Sequence, residues 1–288
     1  MILVGENINI MSQTIGPAMR ERTPKPIQEL TKAETDVDYL DINIGPARKA
    51  GDELMSWMVK TVQEVTDKPL SLDTTNLVAM EAGLKEHKGK ALINSISPAR
   101  MEEGLPIAKK YNASMIGLLW GKEGMPRDAN ERAVLAVDLI YQANEMGIPN
   151  EDIWIDPIAS PVSVEINQVK SCVEFMSMLG DIAPGCKSTV GLSNISNGTP
   201  TDLRPWLNRT YLMLLMKYGI YSAIVDAFDS ELIKIARGER PELLDLVHRM
   251  MDGERPDLSS LSEEEVKYAK TIRVLNGESL YSHSWLEI

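Results

Sequence analysis

Cysteine is nearly absent: the chain of 288 residues carries two, Cys172 and Cys186. Two thiols build neither a disulfide framework nor a cysteine-rich zinc site, and their rarity suits a reducing compartment. Histidine is almost as rare. His87, His248 and His283 are scattered, with no His-x-x-x-His pair to seat a metal on one helix face. Two phenylalanines stand against sixteen methionines, so the core is expected to be filled by adaptable thioethers. Positive charge is in deficit: 30 Lys and Arg against 42 Asp and Glu leave a formal charge of −12. Such a surface argues against nucleic acid, whose phosphates need clustered cations, and permits a locally basic protein partner. No apolar run reaches the length of a membrane span. The opening string MILVGENINI lacks a basic n-region and a long apolar stretch, so no signal peptide is expected and the expected setting is the cytoplasm.

What is present is a repeated alternation. Short apolar runs of strand type fall at 3–8, 39–45, 70–75, 91–97, 115–120, 153–158, 189–194 and 222–228. Between them lie segments of helical period, such as 52–66, where Leu54, Met55, Met58, Val59, Val62 and Val65 share one face, and 127–147, closed by Gly147. Eight strands alternating with helices predict an α/β fold of the (β/α)8 TIM-barrel type. A doubly wound open sheet is disfavoured, because the first strand is followed by GENINI and not by a Gly-x-Gly-x-x-Gly loop. The pattern changes after residue 236: two helices, about 241–252 and 262–275, make residues 237–288 a helical extension of a barrel spanning 1–236. Ser262 and Glu265 form a capping box for the second. The segment 203–219 is apolar on nearly every side. A ring helix has no second layer of its own to cover it, so this segment is expected to form a homodimer interface.

Barrel chemistry sits at the C-terminal ends of the strands. Those ends carry Asp41, Asn43, Asp73, Asn94, Asp156, Asn194 and Asp226. One such residue is ordinarily a cap or a turn former. Several together form a ring of carboxylates and amides almost without cations, which disfavours phosphate. A divalent metal among Asp41, Asp73 and Asp156 is an alternative, weakened because no His or Glu joins them at the strand ends. A neutral, donor-rich heterocycle fits better: a carboxylate accepts two parallel N–H bonds, and an asparagine matches a mixed edge. A pterin has both kinds of edge.

The strings GENIN (5–9), LDINIGPA (40–47), LSLDTTN (70–76), INSIS (93–97), IDP (155–157), GLSNIS (191–196) and NRT (208–210), in this order, resemble the methyltetrahydrofolate:corrinoid-protein methyltransferases, a branch of the pterin-binding, dihydropteroate-synthase-like barrels. The resemblance implies that Asp73, Asn94 and Asp156 hydrogen-bond the pterin ring, and that Gly191 and Ser193 make neighbouring contacts. It further implies that Asn194 reaches N5, the atom that bears the methyl group. Asp41 and Asn43 would stand behind the ring, and Arg204 near the tail of the substrate. The implied substrates are tetrahydrofolate or methyltetrahydrofolate and a corrinoid carried by a separate protein that docks transiently over the barrel mouth, with no bound metal. The chain itself has no Asp-x-His-x-x-Gly cobalamin signature.

Methyl transfer between cobalt and N5 needs no enzyme nucleophile, so the missing Ser-His-Asp set is no obstacle. It needs a group that donates to N5 in one direction and leaves its lone pair free in the other, and an asparagine can rotate to do either. The extension beyond 236, lacking in the shorter acetogenic type, points to transfer from a methylcorrinoid protein to tetrahydrofolate within a demethylase system. Alternatives are the acetogenic direction, a dihydropteroate synthase, or a folate-binding barrel without chemistry. Lys187 invites the synthase reading, while the absence of a Lys-x-Ser-Arg string after the seventh strand opposes it.

Overall fold

The structure is a computed structural model and describes residues 1–287. The eight strands are β1 (Ile2–Asn9), β2 (Tyr39–Asn43), β3 (Leu70–Asp73), β4 (Leu92–Ile96), β5 (Ser114–Leu118), β6 (Ile153–Asp156), β7 (Lys187–Ser188) and β8 (Ser222–Val225). Every pairing is parallel, and the order runs β7-β6-β5-β4-β3-β2-β1-β8. The ends meet: the amide of Ile224 donates to the carbonyl of Val190 at 2.8 Å, and Gly191 bridges to Ile224 in parallel. The expected (β/α)8 barrel is therefore formed, with helices α1 (Ile15–Arg20), α2 (Pro24–Ala33), α3 (Gly51–Gln63), α4 (Leu77–Glu86), α5 (Met101–Tyr111), α6 (Ala129–Glu145), α7 (Ile166–Ile182), α8 (Arg204–Met216) and α9 (Ser230–Ala236) outside it.

Strand periodicity divides the residues between two surfaces. Leu3, Leu40, Leu70, Ile93, Met115 and Ile155 belong to the large buried cluster shared with the helices. Val4, Leu92, Ile116, Trp154 and Ile224 form a separate cluster inside the barrel, against Ile2, Tyr39 and Tyr221. Trp154 meets Tyr39 and Tyr221 edge-on at 5.5 and 5.2 Å. Side chains two positions along a strand share a face. One layer above this apolar plug, the interior therefore receives Glu6, Asp41, Asn94, Asp156 and Asp226. The sequence places an oily floor under a polar mouth.

The seventh strand differs from its expected span of 189–194. Regular pairing with β6 covers Lys187 and Ser188 only; Thr189 still donates to the carbonyl of Ile155 at 2.9 Å, and then Val190 and Gly191 turn to β8. Leu192–Ser196 winds into a 3-10 turn. Leu192 and Ile195 are buried, which winding at i, i+3 allows and a strand would not. Methionines do fill the core: Met19, Met55, Met58, Met115 and Met213 are fully enclosed.

The C-terminal extension carries α10 (Pro241–Met251) and α11 (Glu263–Leu275), the latter opened by the expected Ser262–Glu265 capping box. Both pack on α8. Leu243, Leu246, Val247, Met250, Tyr268, Ile272 and Leu275 are buried there, Trp206 meets Tyr268 edge-on at 5.1 Å, and the His248 ring lies 2.9 Å from the Met213 carbonyl. This overturns the premise that the apolar segment 203–219 has no second layer in its own chain. The chain supplies its own second layer, and Leu212, Met213, Leu214 and Leu215 need no second copy to leave water.

Candidate active site at the barrel mouth

Strand register brings the sequence-predicted residues together on one side of the mouth. Asn43 lies beside Asp73, and Asp73 beside Asn94, as paired residues on adjacent strands. Asn43 donates its Nδ2 to Asp73 Oδ2. One level lower, Asp41 is buried and accepts from Ser71 Oγ at 2.6 Å and from Asn94 Nδ2 at 3.1 Å. Asp41 and Asn43 thus stand behind Asp73 and Asn94 and fix their orientation. Across the barrel Asp156 accepts from the amide of Ile158 at 2.7 Å and from the amide of Gly191. Ile158 takes a left-handed φ of 68° to aim that amide, an uncommon conformation for a β-branched residue.

Burial sets the charge state. It pushes Asp156 up to about 6, despite its two backbone donors and the distant pull of Arg132. Burial also raises Asp41 and Asp73, and Asp73 is raised further by the nearby Asp41 charge. These carboxyls sit where solvent is already displaced and where N–H donors from a ligand would favour the ionised form.

The loop after β7 supplies the rest. A Cβ at Gly191 would stand 3.1 Å from Asn194 Nδ2, so a side chain there would press on that amide. Asn194 is exposed at the mouth and accepts from Asn197 Nδ2 at 3.3 Å. Arg204, at the start of α8, donates to Ser196 Oγ at 3.0 Å and to the Ser193 carbonyl at 3.3 Å, so it braces the loop while facing a cavity of about 670 Å³. Ser193, Asn197, Asn208 and Asp226 line the same cavity. Asp226 accepts from Asn7 Nδ2 at 2.8 Å, which pins β1 to the end of β8.

Glu6 also faces this cavity, and sequence reasoning missed it. It accepts a hydrogen bond from Ser193 Oγ. Burial, helped by Asp226 and Asp41, pushes it up to about 7, against the opposing effects of Ser193 and Arg204. The residue lies inside the string GENIN, and the signal was parity: Glu6 is two positions from Val4 and must share its interior face. Asn208, within the string NRT, lines the same cavity, and its Oδ1 is buried without a hydrogen-bond partner.

Among the described residues, no group of three or more His, Cys, Asp or Glu side chains is placed to hold a metal ion. Among the same residues, no helix is long and apolar enough to cross a membrane. Lys187 is at the far end of its strand from the mouth, its Nζ 5.0 Å and 5.4 Å from the rings of Tyr221 and Trp154 beside the apolar floor.

Fold and mouth together define a barrel whose open end presents carboxyls and amides. The chain belongs to the pterin binding enzyme family, whose sequence profile matches residues 34–226. It is 26% identical over 232 residues to the methylcorrinoid:tetrahydrofolate methyltransferase of Eubacterium limosum, covering 78% of this chain and 85% of that protein. It is 25% identical to methionine synthase of Mycobacterium tuberculosis over 91% of this chain, which spans only 23% of that much longer protein. In fold it is similar to dihydropteroate synthase of Xanthomonas albilineans, with a TM-score of 0.63 and 18% identity over 83% of this chain and 92% of that one.

Proposed function

We propose that this chain is a methyltransferase that moves a methyl group between N5 of tetrahydrofolate and the cobalt of a corrinoid held by a separate protein. The observation that carries the reading is the set of half-buried Asp73 and Asn94 with buried Asp156 above an apolar floor, and Asn194 overhanging from the loop after β7. Asp73, Asn94 and Asp156 hold the pterin ring. Gly191 and Ser193 flank it, and Asp41 and Asn43 fix the first two from behind. Asn194 meets N5. Its side-chain N–H donates to N5 when the methyl group leaves; when N5 attacks, the side chain turns its N–H away and its oxygen accepts from the N5 hydrogen, so it stabilises the transition state in either direction. Arg204 lies toward the open cavity, where the glutamate tail of the folate leaves the ring.

Transfer from a methylcorrinoid protein to tetrahydrofolate is the favoured direction, in keeping with the name of the Eubacterium limosum relative, 85% of which is covered. The rim supports a macromolecular partner. Met11, Trp120, Val164 and Phe228, exposed large apolar side chains, each stand on a loop that follows a strand end. Apolar groups around a polar mouth suit a docking protein that must bring a corrinoid face down onto N5. A dihydropteroate synthase reading finds no support in Lys187, which is stacked on aromatic rings away from the mouth.

Replacing Asn194 tests the assignment. Asn194→Ala is expected to bind tetrahydrofolate within a few-fold of wild type and to lose about 10²-fold or more in kcat for methyl transfer. Wild-type turnover by this variant would remove Asn194 from the chemistry.

A further inference from the structure

The proposed reaction, on which this inference rests, moves a proton as well as a methyl group. N5 of tetrahydrofolate carries a hydrogen that N5 of the methylated product does not. Toward folate, the N5 lone pair forms the new C–N bond while the C–Co bond breaks with its electron pair left on the corrinoid cobalt. N5 is then a cation and sheds one proton. In reverse, N5 gains that proton as Co(I) takes the methyl group. Asn194 cannot be the carrier, because a side-chain amide does not titrate in this range.

We propose that Glu6 is the residue that exchanges this proton with N5. Other carboxyls at the mouth are committed. Asp41 is enclosed beneath Ser71 and Asn94, Asp73 accepts from Asn43, and Asp156 accepts two backbone amides. Asp226 accepts from Asn7 and from the amide of Phe228 at 3.0 Å. Glu6 faces the open cavity and accepts from the hydroxyl of Ser193, the residue next to Asn194. The Ser193 carbonyl is in turn held by Arg204, so the carboxyl and the asparagine are tied to one braced turn.

The groups facing Glu6 poise it. Burial is the largest influence; Asp226 from β8 and Asp41 from β2 raise its proton affinity, whereas Ser193 and Arg204 lower it, leaving it at about 7. Glu34, on the far side of β1, is a further carboxyl in its field. A carboxyl balanced near neutrality can take a proton from N5 or return one, and it passes the proton to solvent through the cavity.

The experiment compares wild type with Glu6→Gln, which keeps an acceptor for Ser193, and with Ser193→Ala. Tetrahydrofolate binding is followed by fluorescence quenching, and single-turnover methyl transfer from free methylcobalamin across the neutral pH range. The Glu6 carboxyl is followed directly by infrared difference titration of wild type against Glu6→Gln, which needs no turnover. Wild type is expected to show a carboxyl titrating near 7 and a transfer rate that rises with pH through that value. Glu6→Gln is expected to bind within about 3-fold, lose about 10²-fold in rate and lose the inflection. Ser193→Ala removes a bond that favours the ionised form, so its inflection moves to higher pH. A Glu6→Gln protein with wild-type rate and pH profile, or a carboxyl titrating in the ordinary range, would overturn the inference while leaving folate binding intact. A wild-type protein that binds no tetrahydrofolate would overturn the methyltransferase reading and this inference with it.

Discussion

Glu34 shows what a single buried side chain costs. It follows α2, fully enclosed, and neither carboxylate oxygen has a hydrogen-bond partner. Its space exists because residue 5 is glycine: a Cβ there would lie 2.2 Å from Glu34 Oε2. Burial pushes the carboxyl from 4.5 up to about 8, with Lys68 opposing and Asp226, Asp41 and Glu6 assisting. A carboxyl raised in the folded state is held more tightly there than in the unfolded chain. Stability is therefore full below the unfolded value and is lost as pH rises toward the folded one. The melting temperature of wild type is expected to fall between about pH 5 and about pH 9, and Glu34→Gln to flatten part of that fall, on the order of a few kcal/mol at the alkaline end. Equal pH dependence of the two proteins would mean that Glu34 is solvated or paired. Residue identity at the mouth was only half legible in the sequence. Asp41, Asp73, Asn94 and Asp156 announce themselves as polar residues closing apolar runs. Glu6 and Glu34 do not: the first lies within a strand where parity alone gives it away, and the second is buried by a contact with Gly5 that no local pattern encodes.

Helices and strands were more legible than their partners. The segment 52–66 became Gly51–Gln63, 127–147 became Ala129–Glu145 with Gly147 left-handed just beyond it, and Ser262 caps α11 as its spacing requires. Periodicity encodes these because each is a local regularity. What covers α8 is not local. Its apolar face alone resembles an interface, but α10 and α11 return from far along the chain to bury it, with Trp206 against Tyr268. Trp285 donates to Thr271 at 3.0 Å and Tyr281 meets Thr199 at 2.7 Å. The second contact ties the extension to the loop after β7, which also bears Asn194. Ile272 on α11 is fully buried. Ile272→Ala is expected to lower the unfolding free energy by about 2–5 kcal/mol in denaturant titrations. A loss below about 0.5 kcal/mol would show that α11 does not pack as described.

At the scale of the whole molecule, one arrangement accounts for the rest. An apolar plug of Val4, Leu92, Ile116, Trp154 and Ile224 excludes water from the floor, and the acids above it are held near neutrality by burial. With a net charge of −12 and few cations at the mouth, the proposed ligand is a flat ring rich in N–H donors and not a phosphate. The most direct measurement is a crystal structure of the protein with tetrahydrofolate bound. The pterin ring is expected to lie above Trp154, hydrogen-bonded to Asp73, Asn94 and Asp156, with N5 within reach of both Asn194 and Glu6. A ring bound elsewhere, or a divalent ion held among Asp41, Asp73 and Asp156 in its place, would contradict the account.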